Sequence, residues 1–240
     1  MHLAAQAAVR ASIEDPAFDA SVNVLGLLNV LGAAAATGVR KVVFASSGGT
    51  LYGARPKLPA KESARFRAHP ASPYGISKKL AEDYLRYYRD SRGVDFTALA
   101  LGNVYGPRQD PHGEAGVVSI FTRAMLAGEQ PTIFGDGEQT RDMVFVHDVV
   151  HAFSLAANHG SGKLVNVGTG TESSVNDVYR RLVDLTGFGG QPMFGPLRDG
   201  EVLRSCLDVS LAESELGWRP WTHLEDGLAE TVAWFREQGS

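Results

Sequence analysis

Val22, Leu25, Asn29 and a run of alanines recur at helical spacing along Pro16–Thr37. Asp15-Pro16 supplies a start and Gly38 a C-terminal cap, so the segment is predicted to be one long helix. Lys41–Ala45 is a short, nearly all-apolar run, which fits a strand covered on both faces, as in a parallel sheet. Ser46 to Pro73 reads as loop. Tyr74–Asp90 reads as a second helix with Pro73 just ahead of it, and Phe96–Leu101 as a second buried strand. Strand, loop, helix, strand in that order is half of a doubly wound sheet.

The pattern changes after Gly106-Pro107. Val117–Ala127, Asp148–Ala157, Val175–Thr186 and Leu224–Phe235 carry helical patterning. Pro131–Phe134, Asp142–Val146, Val165–Val167, Pro192–Phe194 and Ser205–Asp208 are short strand candidates. The expected fold class is α/β: a doubly wound parallel sheet with a smaller α/β lobe concentrated late in the chain.

Composition narrows the picture. A chain of 240 residues and 25.7 kDa can bury a core without covalent staples. Its single cysteine, Cys206, excludes an internal disulfide framework and suits a reducing, cytoplasmic compartment. A net charge of −4 offers no basic field, so no nucleic-acid partner is expected. The longest uninterrupted apolar run, around Ala33–Ala36, is too short for a bilayer, and Met1-His2-Leu3 lacks the start of a signal peptide; no membrane association is expected.

Chemistry concentrates at Tyr74-Gly75-Ile76-Ser77-Lys78. Residues four apart share a helix face, so the Tyr74 phenol and the Lys78 ammonium can enter one site. A free phenol, with a pKa of about 10, is a poor base at neutral pH, and a nearby cation is expected to lower that value. The pair then suits moving a proton on or off a hydroxyl. A surface helix with a snorkelling lysine is the plainer alternative. Strand Lys41–Ala45 runs into Ser46-Ser47-Gly48-Gly49-Thr50, hydroxyls and glycines at the strand end where ligands bind in open α/β sheets. His147 and His151 stand four apart, a spacing zinc sites use, but no third ligand is evident, and a helix start with Asp148 in its first turn is preferred. No metal is expected. Cys206 reads as a packed thiol, and Trp218, Trp221 and Trp234 as packing for the late helices.

Four motifs occur in order: Ser46-Ser47-Gly48-Gly49-Thr50-Leu51-Tyr52-Gly53, Ser72-Pro73-Tyr74-Gly75-Ile76-Ser77-Lys78, Asn103-Val104-Tyr105-Gly106-Pro107-Arg108, and Gly135-Asp136-Gly137-Glu138-Gln139-Thr140-Arg141-Asp142. Together they resemble the extended short-chain dehydrogenase/reductase family, and within it the nucleotide-sugar epimerases of the UDP-glucose 4-epimerase group. The resemblance implies a Rossmann-like fold, with residues 1–106 a partial NAD-binding region. Residues 107–240 would hold the remaining Rossmann elements interleaved with a nucleotide-sugar-binding lobe. It implies NAD as cofactor, a UDP-sugar or other nucleotide sugar as substrate, and a homodimer built on the helices at Pro16–Thr37 and Tyr74–Asp90. Tyr74 would be the acid/base, with Lys78 binding the nicotinamide ribose and tuning it. Ser47, ranked above Thr50, would hydrogen-bond the sugar hydroxyl in place of the Ser or Thr that relatives carry at Gly48. Ala4, Ala5 and Gln6 would pass under NAD, with Asn23 and Ser46 near the cofactor. Asn103 would touch the diphosphate, Arg141 and Arg198 would grip phosphate, and Glu201 the nucleotide ribose. Paired guanidinium forks suit phosphate oxygens.

The resembled chemistry removes a proton and a hydride from the sugar, then returns both to the opposite face. A Gly-rich strand–turn–helix, which would cradle the pyrophosphate, does not occur at the front of the sequence. Weak NAD binding is therefore expected of the chain as written. A fragment or mis-started reading frame, a fold completed by another polypeptide, and a degenerate, non-catalytic sugar-nucleotide-binding or dimer-partner module remain alternatives to the epimerase. A 4,6-dehydratase is a further one, disfavoured because Gly48-Gly49-Thr50 stands where an Asp-Glu pair is called for.

Overall fold

A computed structural model describes residues 1–53, 56–112, 116–197 and 202–239. The chain opens with α1 (Val9–Glu14), α2 (Pro16–Ala20) and α3 (Gly26–Ala36), the last two made continuous by a π-turn at Ser21–Leu25. The Asp15 carboxylate accepts from the Phe18 amide, so the predicted start is a true cap with Pro16 in the first turn. Gly38, at φ 73°, ends the run in a conformation that strains an L side chain. The uniform helix expected over Pro16–Thr37 is thus corrected by one wide turn, which periodicity alone does not reveal. By length and composition, Pro16–Ala36 is also long and apolar enough to cross a membrane, which a count of uninterrupted apolar runs overlooks. Here its Leu27, Leu31 and Ala34 enter the protein core.

β1 (Lys41–Ser47) passes directly into a one-turn helix, α4 (Gly48–Leu51). The expected Ser46–Pro73 loop therefore contains the strand's end, this turn and a 3-10 turn at Glu62–Arg67. Segments of four to six residues are too short to register a period. Next comes α5 (Pro73–Arg92), in which the Ser72 hydroxyl accepts from the Gly75 amide at 3.2 Å and Pro73 fills the first position. β2 (Asp95–Leu101), β3 (Asn103–Tyr105), α6 (Val117–Leu126), β4 (Thr132–Phe134), β5 (Thr140–Arg141) and β6 (Met143–Phe145) follow. The chain then runs through α7 (Val146–Ala156), β7 (Lys163–Val167), β8 (Ser173–Ser174), α8 (Val175–Thr186), β9 (Met193–Gly195), α9 (Ser210–Leu216) and α10 (Leu224–Glu237). The Ser205–Asp208 candidate is corrected too. It makes only bridges, Leu207 to Ala60 and, just before it, Arg204 to Thr140, because it crosses between two neighbours instead of running along either.

β1, β2 and β7 form a parallel sheet in that order, with Lys41 opposite Asp95 and Thr97 opposite Lys163. On the other side of β1, the His2 amide donates to the Val43 carbonyl at 2.8 Å and the Ala45 amide donates to His2 at 3.1 Å. Both faces are covered. Leu27, Leu51, Leu85 and Phe96 belong to one core and Val149, Phe153, Leu216 and Trp218 to another. This double cover is why the strands read as unbroken apolar runs. A third core gathers Phe121, Ile133, Val178, Leu182 and Leu228 beneath α6, α8 and α10. β7 and α9 come late in the chain yet pack with the central sheet, so the backbone crosses between sheet and lobe more than once.

Candidate active site

The helical spacing of Tyr74 and Lys78 sets both on the face of α5 that meets the tip of β1. Lys78 is 5% exposed. Its Nζ donates to the Ala45 carbonyl at 2.9 Å, lies 4.8 Å over the Phe44 ring, and is 5.6 Å from the Tyr74 ring centre. The aromatic face offsets part of the lost hydration. Burial pushes the Lys78 ammonium down to about 8, and the Asp19 carboxylate pulls it back up. Burial pushes the Tyr74 phenol above its ordinary value; the Ser47 hydroxyl counters this and Asp19 adds to it. The expected lowering of Tyr74 by Lys78 is thus corrected: desolvation sets the direction, and Ser47, not Lys78, is the neighbour that favours phenolate.

Ser47, rather than Thr50, is the hydroxyl acting on Tyr74. Thr50 sits in α4, whose backbone presses on the first turn of α5: a Cβ at Gly75 would lie 3.0 Å from the Thr50 carbonyl. The hydroxyls of Thr50 and Ser46 are buried without partners among the described residues. Two orphaned hydroxyls at the β1 tip, in the strand and turn that carry Ser47, offer polar groups that a polar guest would complete. Gly48 has its own reason for lacking a side chain: a Cβ there would lie 2.6 Å from Leu207 Cδ1 and 3.1 Å from the Ala100 carbonyl.

Ala4 and Ala5 lead from the His2 bridge into Gln6, whose backbone is clamped by Asn23. The Gln6 amide donates to Asn23 Oδ1 and Asn23 Nδ2 donates back to the Gln6 carbonyl, both at 2.9 Å. Asn23 Nδ2 also donates to Asp19 at 2.9 Å. The Asn23 amide is therefore committed to shaping the turn. Asn103 opens β3, its Oδ1 3.7 Å from where a Gly49 Cβ would stand, so it lines the same strand ends. Arg141 lies on β5, its Nη1 donating to the Thr140 carbonyl at 2.9 Å. Arg198 and Glu201 lie outside the described residues.

Asp19 is the residue the sequence reading missed. Its signal was an acid four positions before Asn23, on one face of a largely apolar helix. Elsewhere, His147 approaches Glu230 at 3.7 Å and His151 meets Trp221 edge-on. Among the described residues, no group of three His, Cys, Asp or Glu is placed to hold a metal. Asp148 instead accepts from the Trp221 and Thr222 amides and the Thr222 hydroxyl. Cys206 is buried, and burial pushes its thiol up to about 11. Trp218 is buried, but Trp221 is 54% exposed, which corrects its expected packing role.

A parallel α/β sheet with a phenol, an ammonium and a serine hydroxyl converging on one strand tip defines a Rossmann-type protein equipped to handle a proton at a hydroxyl. The chain belongs to the NAD dependent epimerase/dehydratase family, whose model matches residues 1–168. It is 49% identical over 238 residues to the UDP-glucose 4-epimerase of Mycolicibacterium smegmatis, covering 99% of this chain and 75% of that protein. The solved UDP-glucose 4-epimerase of Thermotoga maritima with UDP-glucose superposes with a TM-score of 0.97 at 46% identity, over 100% of this chain and 77% of that one. The Thermus thermophilus UDP-glucose 4-epimerase in complex with NAD gives a TM-score of 0.91 at 42% identity, over 98% and 76%.

Proposed function

We propose that the chain carries out NAD-dependent epimerisation of a nucleotide sugar, on the pattern of UDP-glucose and UDP-galactose interconversion. The observation that carries this reading is the Tyr74–Lys78–Ser47 corner at the tip of β1, with Lys78 buried and Tyr74 and Ser47 half-buried. The orphaned Ser46 and Thr50 hydroxyls and the clamped Ala4–Ala5–Gln6 turn fit a polar cofactor lying across that tip. When bound, NAD would supply hydride acceptance and return at the sugar carbon. The protein's share is proton handling and orientation. Tyr74 Oη takes the proton from the sugar hydroxyl and later returns it. Lys78 steadies the phenolate by its charge, and Ser47 orients the hydroxyl. A phenol raised by burial is a strong base once ionised, so it needs both helpers. Asn103 and Arg141, with Arg198 and Glu201 from the sequence pattern, are the groups we assign to diphosphate and ribose.

The same reading includes a homodimer. Phe18, Leu25 and Val30 along α2–α3, and Ile76, Leu80 and Tyr87 on α5, leave apolar side chains exposed on two helices that pack side by side. We assign that surface to a second copy, in a cytoplasmic setting suited to one buried thiol.

The test is interconversion of UDP-glucose and UDP-galactose with NAD added, alongside Tyr74→Phe. The substitution is expected to lower turnover by about 10²–10⁴-fold with an unchanged circular-dichroism spectrum. Equal rates would remove Tyr74 from its role, and UDP-sugar binding without turnover in the parent would replace the enzyme with a binding module.

A further inference from the structure

We propose that Asp19 is the positioning residue of the acid–base corner: one buried carboxylate ties Gln6, Asn23 and Ser77 into a frame and is the negative charge set against Lys78. This rests on reading Tyr74 and Lys78 as the proton-handling pair.

Asp19 is fully buried. Its Oδ1 accepts from Asn23 Nδ2 at 2.9 Å and Gln6 Nε2 at 3.1 Å, and its Oδ2 accepts from Ser77 Oγ at 2.6 Å. These three bonds reach three separate places: the turn after the His2 bridge, the π-turn, and α5 at the residue before Lys78. A second hydroxyl pins the same helix, with the Tyr74 amide donating to Ser12 Oγ at 3.2 Å. The frame thus sets the rotation of α5 about its axis, and with it the heights of Tyr74 and Lys78 above the β1 tip.

Geometry alone does not call for an acid here. All three donors are neutral, and an asparagine of the same shape could meet them with one serine hydroxyl reversed. Burying a carboxylate among neutral donors is costly, so its charge needs a use. The use is Lys78, whose ammonium is disfavoured by burial and favoured by Asp19. Asp19 also opposes phenolate at Tyr74. Both effects have one sign: the carboxylate retains protons on the pair.

The other titratable groups facing Lys78 do not supply this charge. Tyr74, on the same helix, carries none while it is protonated. His2, at the isolated bridge beside β1, is held below its ordinary value by burial, then by Lys78 and the N-terminal amino group, so it is neutral where Lys78 titrates. Asp19, from α2, remains.

The test needs no turnover. With ¹³C at lysine Cε, the chain's six lysines give separate titration curves, and Lys78→Met identifies the one in the site. Lys78 is expected to titrate near pH 8. Asp19→Asn should lower that midpoint by about one pH unit or more, because removing a nearby opposite charge favours the neutral amine. Asp19→Glu should restore it. Ser77→Ala, which removes one strut and keeps the charge, should move it less. A midpoint unchanged in a folded Asp19→Asn protein overturns the proposal, since a merely structural acid would leave the lysine alone. Should Asp19→Asn fail to fold, the intact chain decides: the Asp19 ¹³Cγ resonance should step at the Lys78 midpoint, and a flat trace through pH 8 overturns the proposal. Loss of the catalytic reading shows separately, as normal turnover by Tyr74→Phe.

Discussion

Two buried aspartates hold two corners of this protein, and they are held in different ways. Asp142, where β6 meets the exits of β2 and β7, takes most of its bonds from the backbone: the amides of Thr169 at 2.6 Å, Gly170 at 3.1 Å and Leu207 at 3.1 Å, plus the Thr169 hydroxyl at 2.8 Å. Its carbonyl accepts from the Asn103 amide at 2.7 Å. Even its surroundings are trimmed, since a Cβ at Gly168 would lie 2.6 Å from Asp142 Oδ2. Asp19 instead takes its bonds from three side chains. Amide donors are present whatever the sequence, so the Asp142 corner is architecture. Side-chain donors can be exchanged one at a time, so the Asp19 corner can be tuned without rebuilding the fold.

The largest effect expected of this contrast is at Asp142. Asp142→Ala would leave three buried amides without an acceptor, costing about 3–6 kcal/mol in urea unfolding, or preventing folding altogether. A loss under about 1 kcal/mol would break the comparison.

The next effect separates the corners by pH. Lys78 binds its proton less tightly folded, near 8, than unfolded, near 10.5. Between those values the unfolded chain holds more of a proton at this site, so the share of stability due to Lys78 should rise with pH, by roughly 3 kcal/mol at most. Lys78→Met should flatten that alkaline limb. Asp142, pushed up by burial against its backbone donors, acts in the opposite sense: its folded form keeps a proton longer than the unfolded chain, so its share of stability declines as pH climbs past 3.8. Parent and Lys78→Met unfolding free energies that run parallel between pH 8 and 10.5 would contradict the burial of Lys78; taking the difference removes the opposing share of Cys206, whose thiol burial raises.

The smallest effect probes the floor of the site. Gly48→Ser would drive a Cβ into Leu207 and is expected to cost about 1–3 kcal/mol. A neutral result by thermal unfolding would show that Leu207 yields and that a hydroxyl is tolerated here.

Legibility in the sequence divides along similar lines. The parallel sheet and its long helices could be read because both faces of each strand are buried and α5 keeps a clean cap and period. The Tyr74/Lys78 pair was legible because a four-residue spacing maps directly to one helix face. What escaped depends on contacts between distant residues. α4 and α9 are brief, β5 and β8 have two residues each, and nothing local marks Ser205–Leu207 as crossing between Ala60 and Thr140. Asp19 escaped because its partners lie 4, 13 and 58 positions away. The direction of the Tyr74 shift escaped because burial, which spacing cannot report, exceeds the pull of the Ser47 hydroxyl.

The π-turn at Ser21–Leu25 carries one more implication. Each residue of an α-helix advances the chain by about 100° around its axis. Upstream of the wide turn Asp19 must look toward Ser77, and downstream Leu27 and Leu31 must look into the core. Deleting a single residue between them would swing one group or the other about a quarter-turn out of phase. Length polymorphism within this helix should therefore be purged, even where substitutions of its outward-facing side chains pass unnoticed.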